Sequence, residues 1–396
     1  MTTVGFLRAI ACMWWVFLSL GALIPVLPTW VADDLGGAGW QVGATVFIYA
    51  AASVASRPLA GWYLRTRSPE PMIWMSIIVG VLAVAGTPLI RDLAWMWSLR
   101  FVEGAALGLF YTAAATGVVR STPPARRGSR LAYFSVPLFL GVAVGPIVGD
   151  WALGHLGSTG AWLFAAGILS VGLLPCLPGA RLFAPMDDRP AGKAPAGSLL
   201  RTLAHPAARM PAVVLALSIA GWAAFQAFVP LYGPQLGLQA TGTVFLAYST
   251  VVLTIRVGGA RFFDRLPMVP LVIVGCSCNV VGLLIAASWR APGGLYVAAI
   301  LMAVAIGLTY TSLMQVALTG VSTTEEGAVV AAYSVAYDIG AGIGAVVLGL
   351  LLTLTGSYAA VFLGGAAAAG WALLLMFVHF WPKRRRFGGF PIPVTD

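Results

Sequence analysis

Five ionisable side chains interrupt long apolar stretches of the chain: Arg57, Arg100, Glu103, Arg256 and Asp338. Arg100 and Glu103 are three residues apart, so on a helix they lie on the same face and can form an ion pair. A carboxyl group that is partly removed from water takes up a proton more readily, and a nearby guanidinium opposes that uptake. Moving the arginine away would drive protonation, which is the chemistry of proton coupling. The alternative is a permanent structural ion pair.

Residues suited to other chemistry are absent or scattered. The only lysines are Lys193 and Lys383, and no Gly-x-x-x-x-Gly-Lys phosphate loop occurs, which argues against direct use of ATP. The 3 histidines are isolated and the 4 cysteines fall inside apolar segments, so neither a metal site nor a disulfide framework is indicated. We expect no cofactor, no bound metal, no nucleic-acid partner and no enzymatic activity.

The composition is that of an integral membrane protein. Of the 396 residues, 60% are hydrophobic and 9% are charged, whereas soluble domains carry about 25% charged residues. A spanning helix needs about 20 apolar residues, and continuous apolar runs favour helices over a β-barrel. We predict an all-α membrane protein with twelve transmembrane helices, at about residues 6–28, 42–64, 71–90, 94–119, 131–153, 161–180, 210–232, 242–263, 270–288, 293–319, 328–354 and 358–381.

The basic residues predict which loops face the cytoplasm. All but five of the 23 lysines and arginines fall in loops, tails or span ends on one side of the predicted membrane. Arg91 and Arg290 lie in loops on the opposite side, and the other three lie within spans. Because cytoplasmic loops are enriched in Lys and Arg, we expect both termini in the cytoplasm, and we expect the membrane to be a bacterial plasma membrane.

An internal repeat at an offset of 199 residues divides the chain in two. The offset matches residues of several types rather than glycines alone: Tyr49 with Tyr248, Arg57 with Arg256, Pro71 with Pro270, Arg91 with Arg290, and Tyr111 with Tyr310. Two six-span halves repeated in parallel are typical of one transporter architecture, whose substrate site lies between the halves near the midplane. The predicted domains are an N-terminal half (1–181), a polar cytoplasmic linker (182–209), a C-terminal half (210–382) and a basic tail (383–396).

Three stretches of this sequence resemble motifs of the major facilitator superfamily. They are Arg57-Pro58-Leu59-Ala60-Gly61, Arg100-Phe101-Val102-Glu103-Gly104, and the segment 141–149 with its Gly-Pro pair. The third is similar to the motif of drug/proton antiporters, and this resemblance implies export. In physical terms its glycines let helices approach closely and its proline bends the span, so a simple packing seam is the alternative. The residues that carry this motif are Gly141, Gly145, Pro146 and Gly149.

One position departs from the family pattern. Arg65 stands where the superfamily's loop motif has an acid, whereas the repeat-related Asp264 keeps the acid. The family fold would place span 2 beside span 11 and span 5 beside span 8. Opposite charges would then meet across the halves as cytoplasmic gate latches, unless these residues are ordinary solvated loop charges. The latch residues would be Arg65 and Arg67 with Glu325 and Glu326, and Asp264 with Arg126 and Arg127.

The same resemblance suggests a partner for Asp338 and the lining of a cavity. If spans 2 and 11 touch, Asp338 can pair with Arg57, either as a second proton site or as a structural pair. Spans 1, 4, 7 and 10 would line the cavity, where aromatic groups outnumber polar ones, which suits amphipathic or apolar compounds. The candidate cavity residues are Trp14, Trp15, Glu103, Tyr111, Trp222, Gln226, Tyr232, Tyr310 and Gln315.

Together these features predict a secondary active transporter that exports small amphipathic molecules in exchange for protons. Three alternatives stay open: a proton-coupled uptake symporter of an organic metabolite, a flippase for a lipid-like substrate, and a non-transporting membrane receptor. The expected partners are the substrate, protons and membrane lipid, and the family's usual form implies a monomer.

Overall fold

The computed structural model describes residues 3–122, 127–176, 182–183, 206–258, 266–322, 325–382 and 384. The secondary structure of these residues is helical, which confirms the all-α prediction. The α-helices of this part of the chain are α1 (Thr3–Thr29), α2 (Gly39–Tyr63), α3 (Pro69–Gly86), α4 (Leu93–Arg120), α5 (Arg127–Val171), α6 (Pro206–Tyr232), α7 (Gly242–Gly258), α8 (Met268–Ser288), α9 (Pro292–Leu318), α10 (Glu326–Thr355) and α11 (Tyr358–Leu375).

Within the described ranges, 10 helices are long and apolar enough to cross a membrane, and α7 is a shorter apolar helix. The apolar segment Val136–Cys176, which comprises most of α5 and the five residues after it, has 41 residues, about twice the length that one crossing needs. Helix α5 therefore accounts for both the fifth and the sixth predicted spans, and α7 accounts for the eighth. The described part of α6 starts at Pro206, within the range predicted as linker.

The fifth and sixth predicted spans are separated by a bend at Gly157. This residue has φ 69° and ψ 178°, a backbone conformation that is essentially restricted to glycine. Two helices meet at this bend, one on each side of Gly157. A single non-helical residue therefore marks the boundary between the two predicted spans.

One compact unit comprises Met1–Ala38, Ile48–Ala196 and Ala240–Leu246. Its main seam is the packing of α1 along α5, which is made possible by glycines. A Cβ atom at Gly141, Gly145 or Gly149 would collide with the backbone of α1. Small residues of this kind let transmembrane helices approach closely and gain van der Waals contact.

The second compact unit comprises Gly39–Phe47, Gly197–Gln239 and Ala247–Asp396. Its α10 packs along α6 through Gly340 and Gly344, where an added Cβ would collide with Ala216 and Ala220 respectively. These two glycines match Gly141 and Gly145 at the repeat offset. The same positions of the repeat therefore make the main helix seam in each unit.

Two helix beginnings belong to the unit that does not hold the rest of their helix. The first residues of α2 cluster with the second unit, and the first residues of α7 cluster with the first unit. Glycines again permit the contact: a Cβ at Gly43 would meet the backbone of Ala345, and one at Gly242 would meet the backbone of Pro146. The repeat offset relates Gly43 to Gly242 and Pro146 to Ala345. The beginnings of α2 and α7 therefore make their contacts through equivalent positions of the repeat.

Replacing Gly157 by alanine tests the bend of α5. We expect Gly157→Ala to lower the free energy of unfolding by about 1–3 kcal/mol, since the residue must keep a backbone conformation that alanine avoids. Unfolding of the purified protein in detergent measures this. Gly154→Ala is the matched control, because a Cβ there meets no atom within 4 Å and alanine favours helix. Equal effects of the two substitutions would contradict the bend.

Candidate functional site

The best-defined polar site of the described chain is the ion pair predicted on α4. A guanidinium nitrogen of Arg100 donates to Glu103 Oε2 at 2.6 Å. The two residues are 6% and 4% exposed, so water contributes little to stabilising either charge. Asp92 caps the start of α4 by accepting the Trp95 backbone N–H at 2.8 Å, and Glu103 lies about 16 Å along the helix from this cap. The pair is therefore deep within a membrane-spanning helix.

Tyr49 on α2 completes the surroundings of Arg100. The guanidinium lies over the Tyr49 ring, 4.2 Å from its centroid, which is within the range of a cation–π interaction. Helices α2 and α4 come this close because residue 104 is glycine: a Cβ there would collide with the Tyr49 carbonyl. Arg100 thus has two attractive neighbours, the carboxylate of Glu103 and the face of Tyr49.

Glu103 also lines a small cavity inside the first unit. The cavity has a volume of about 30 Å³ and is lined by residues of α1, α2, α3, α4 and α5, among them Ser19, Tyr49 and Ser76. This volume suits one water molecule. The second carboxylate oxygen of Glu103, Oε1, is buried and has no hydrogen-bond partner in the described part of the chain. One oxygen of this carboxylate is thus engaged by Arg100 and the other is open to a proton donor.

The other intramembrane charges are less enclosed. Arg57 on α2 and Asp338 on α10 are both half-buried, and they belong to different units. Their mutual pairing stays a prediction. Arg256 makes an aromatic contact that the sequence did not predict. Its guanidinium lies 5.8 Å from the centroid of the Tyr310 ring.

The structure describes the side chains of four of the predicted latch residues. Arg65, Arg67, Glu325 and Glu326 are exposed, and Ser322 donates a hydrogen bond to Glu325 at 2.6 Å. The side chains of the other predicted latch residues lie outside the described part of the chain. Arg126 and Asp264 lie outside the described residues, as does the side chain of Arg127, whose backbone begins α5. The latches therefore stay a prediction.

The antiporter-like motif has a packing role in the structure. Its three glycines face α1, as described above, and Pro146 lies against the first residue of α7, Gly242. Packing was the alternative reading of this motif. The implication of export stays a prediction, because helix packing alone does not define a direction of transport.

Five predicted cavity residues lie in the second unit, and three of them are aromatic. Trp222 stacks on Tyr248 with ring centroids 3.7 Å apart and planes 11° apart. Tyr310 makes edge contacts with Tyr333 and Tyr337 at 5.4 and 6.0 Å. Tyr232 stacks on Tyr358 with ring centroids 4.9 Å apart. Gln226 is half-buried.

The remaining predicted cavity residues differ in exposure. Trp14 and Trp15 on α1 are half-buried, whereas Tyr111 on α4 and Gln315 on α9 are exposed. Tyr111 makes an edge contact with Phe17 on α1 at 6.5 Å. Trp14, Trp15 and Tyr111 belong to the first unit and Gln315 to the second. Their joint role in one cavity stays a prediction.

Two residues that contribute to polar sites were not given a role by the sequence. Tyr49 appeared only as a repeat match, and no local pattern indicates that its ring covers Arg100. Asp150 accepts hydrogen bonds from Thr241 and Gly242. Asp150 had a signal, since it is an ionisable residue near the end of an apolar run, and such residues are functional-site candidates.

Comparison with known proteins supports one family. The sequence profile of the Major Facilitator Superfamily matches residues 9–345. The chain belongs to the Major Facilitator Superfamily. It is therefore a multi-pass membrane transporter of this family.

Relatives and solved structures agree with this assignment. The chain is 24% identical over 383 residues to the uncharacterized MFS-type transporter YhhS of Salmonella typhimurium, covering 93% of this chain and 90% of the relative. It is 26% identical over 408 residues to an uncharacterized MFS-type transporter of Burkholderia mallei, covering 98% and 95%.

Solved structures show the same fold at low identity. The nucleoside transporter NupG has a TM-score of 0.75 at 13% identity, covering 98% of this chain and 100% of that one. A POT family transporter in complex with a thioalcohol-conjugated peptide has a TM-score of 0.78 at 13% identity, covering 96% of both chains. At these identities the likeness concerns the fold alone.

The ion pair can be tested by removing its charges singly and together. We expect Glu103→Leu to lower the free energy of unfolding by about 3–5 kcal/mol, because Arg100 would be left charged and buried without its partner. The double variant Arg100→Met/Glu103→Leu removes both charges and should regain most of that loss. Unfolding in detergent measures both. A double variant as unstable as Glu103→Leu would contradict a mutually stabilising pair.

Proposed function

We propose that this protein exports small amphipathic molecules in exchange for protons, by alternating access, across a bacterial plasma membrane with both termini in the cytoplasm. The observation that carries the proposal is the buried pair of Arg100 and Glu103 within a membrane-spanning helix. An ionisable pair at such a depth is costly to maintain, and such residues commonly mark proton or substrate pathways.

The pair supplies a proton switch in which Glu103 is never left as an isolated buried anion: it is either paired with Arg100 or protonated. With Arg100 in contact, Glu103 is held as the carboxylate. When the guanidinium moves away, an isolated carboxylate in low dielectric is unfavourable, and the group takes up a proton. The Tyr49 ring, 4.2 Å from the guanidinium, offers Arg100 an alternative interaction while it is away from the acid. Glu103 Oε1 beside the cavity of about 30 Å³ gives a proton donor access.

The substrate class follows from the aromatic residues of the second unit. Trp222 and Tyr248 stack together, and Tyr310 contacts both Arg256 and the ring of Tyr337. Aromatic surfaces with few convergent polar groups bind amphipathic molecules better than hydroxyl-rich ones. The export direction rests on the resemblance of segment 141–149 to the antiporter motif.

The test uses purified protein in proteoliposomes that enclose a pH-sensitive dye, exposed to a panel of amphipathic compounds. We expect at least one compound to drive proton flux in the wild type. Glu103→Gln should abolish that flux because it cannot take up the proton, whereas Glu103→Asp keeps an acid and should retain part of it. Asp338→Asn tests whether a second acid shares the role.

The direction is measured with right-side-out and inverted vesicles. Accumulation of the compound in inverted vesicles supports export, and accumulation in right-side-out vesicles contradicts it in favour of uptake. Proton flux that persists unchanged in Glu103→Gln and Asp338→Asn would contradict proton coupling by either acid. A panel without any proton-moving compound would favour a uniporter, a flippase or a receptor.

A further inference from the structure

A half-buried carboxylate, that of Asp150, holds the beginning of α7. Thr241 Oγ1 lies 3.2 and 3.4 Å from the two carboxylate oxygens of Asp150 and donates to them. The backbone N–H of Gly242, the first residue of α7, also donates to this carboxylate. The N–H groups of a helix's first turn have no partner within the helix and carry partial positive charge. Asp150 on α5 therefore acts as the cap of a different helix.

The residues around Asp150 allow this contact. Gly149 presses against α1, because a Cβ there would collide with the Ala22 carbonyl, and this fixes the turn of α5 that carries Asp150. Gly242 lets α7 approach α5 at Pro146, as described above. Thr241 occupies the position where a threonine usually caps its own helix, yet its hydroxyl donates to Asp150 instead.

No cation neutralises Asp150 in the described structure. Helix α1, which packs along this part of α5, has no charged residue between Arg8 and Asp33, and α7 has none before Arg256. On α5 itself the nearest titratable residue is His155, whose ring is exposed, stacks on Trp151 and contacts the Trp151 carbonyl. The ionised carboxylate thus depends on the α7 N–H group and the Thr241 hydroxyl.

The equivalent segment at the start of α2 is bound through a hydroxyl group. Its Trp40 backbone N–H donates to Thr353 Oγ1 on α10 at 3.1 Å, and Gly43 provides the close approach to Ala345. The two segments are related by the repeat offset, so a carboxylate contacts the α7 segment where a hydroxyl contacts the α2 segment. A structural role alone would be served equally well by a hydroxyl, as at Thr353.

We propose that Asp150 is a proton-binding site whose protonation releases the first turn of α7 from α5. As a carboxylate it offers two charged acceptor oxygens to Thr241 and Gly242. As a neutral acid it keeps one carbonyl acceptor and loses its attraction to the positive end of the helix. In the proposed topology this end of α5 faces the outside, and the assignment of that side rests on the proposed function. There, protons that drive export would loosen the start of α7.

Hydrogen–deuterium exchange of the full-length protein, measured by mass spectrometry in lipid nanodiscs, tests this without a substrate. Exchange is compared at about pH 8 and about pH 5, a range that buried carboxyl groups can reach, after correction for the intrinsic effect of pH. In the wild type we expect the amides of 240–246 to exchange about tenfold faster at the lower pH, the effect expected for loss of a charged cap. The 39–47 segment should show no such change.

Asp150→Asn is the deciding variant, because asparagine caps helices well but does not ionise. We expect 240–246 to exchange equally at both pH values in this variant. Asp150→Ala removes the cap and should exchange fast at both. A pH effect of the same size in Asp150→Asn would overturn the proposal, as would a pH-independent wild type or slow exchange in Asp150→Ala. None of these outcomes depends on transport, so failure of the proposed function would leave this test intact.

Discussion

The cost of placing charge in a membrane governs this structure. Arg100 and Glu103 can be buried on one helix only because each supplies the other with an opposite charge at 2.6 Å, since a lone ion at that depth would be far less stable. Their spacing of one helical turn creates the pair, and Gly104 in the same turn brings Tyr49 close enough to cover the guanidinium. The chemistry of the site and the packing of α2 against α4 are therefore one feature.

Glycine gives the two units their seams. Gly141 and Gly145 pack α5 onto α1, and their repeat partners Gly340 and Gly344 pack α10 onto α6. The close approaches at these glycines involve no ionisable group, so they hold whatever the state of protonation. The acids proposed to bind protons are other residues, Glu103 and Asp150. This separation lets a proton alter local contacts without disturbing the main packing of either unit.

The sequence predicts features that depend on local spacing or on summed hydropathy. It predicted the all-helical membrane fold and the contact of Arg100 with Glu103, because both follow from the helical repeat. It did not predict that Tyr49 covers Arg100, since 51 residues separate Tyr49 from Arg100 and only the three-dimensional packing joins them. It predicted two spans on either side of Gly157, but not that a single residue separates their helices.

Other features of the structure could not be predicted from the sequence, for physical reasons. A division of the chain at a polar linker assumes that each half is continuous, whereas the first residues of α2 and α7 cluster with the opposite unit. Hydropathy does not indicate which unit the first residues of a helix pack with. Asp150 could have been noticed from its type and position, but its partners Thr241 and Gly242 lie on another helix. The substrate, likewise, is determined by a surface that many separate residues form together.

The most direct test of the central claim is infrared difference spectroscopy of the purified protein between alkaline and acidic pH. Binding of a proton to Glu103 would appear as the C=O stretching band of a carboxylic acid. The account predicts that the wild type has a Glu103 band of this kind, in addition to any band from Asp150, and that this band is missing in Glu103→Gln and retained in Asp150→Asn and Asp338→Asn. Identical difference spectra for the wild type and Glu103→Gln would show that Glu103 binds no proton and that its pair with Arg100 is permanent.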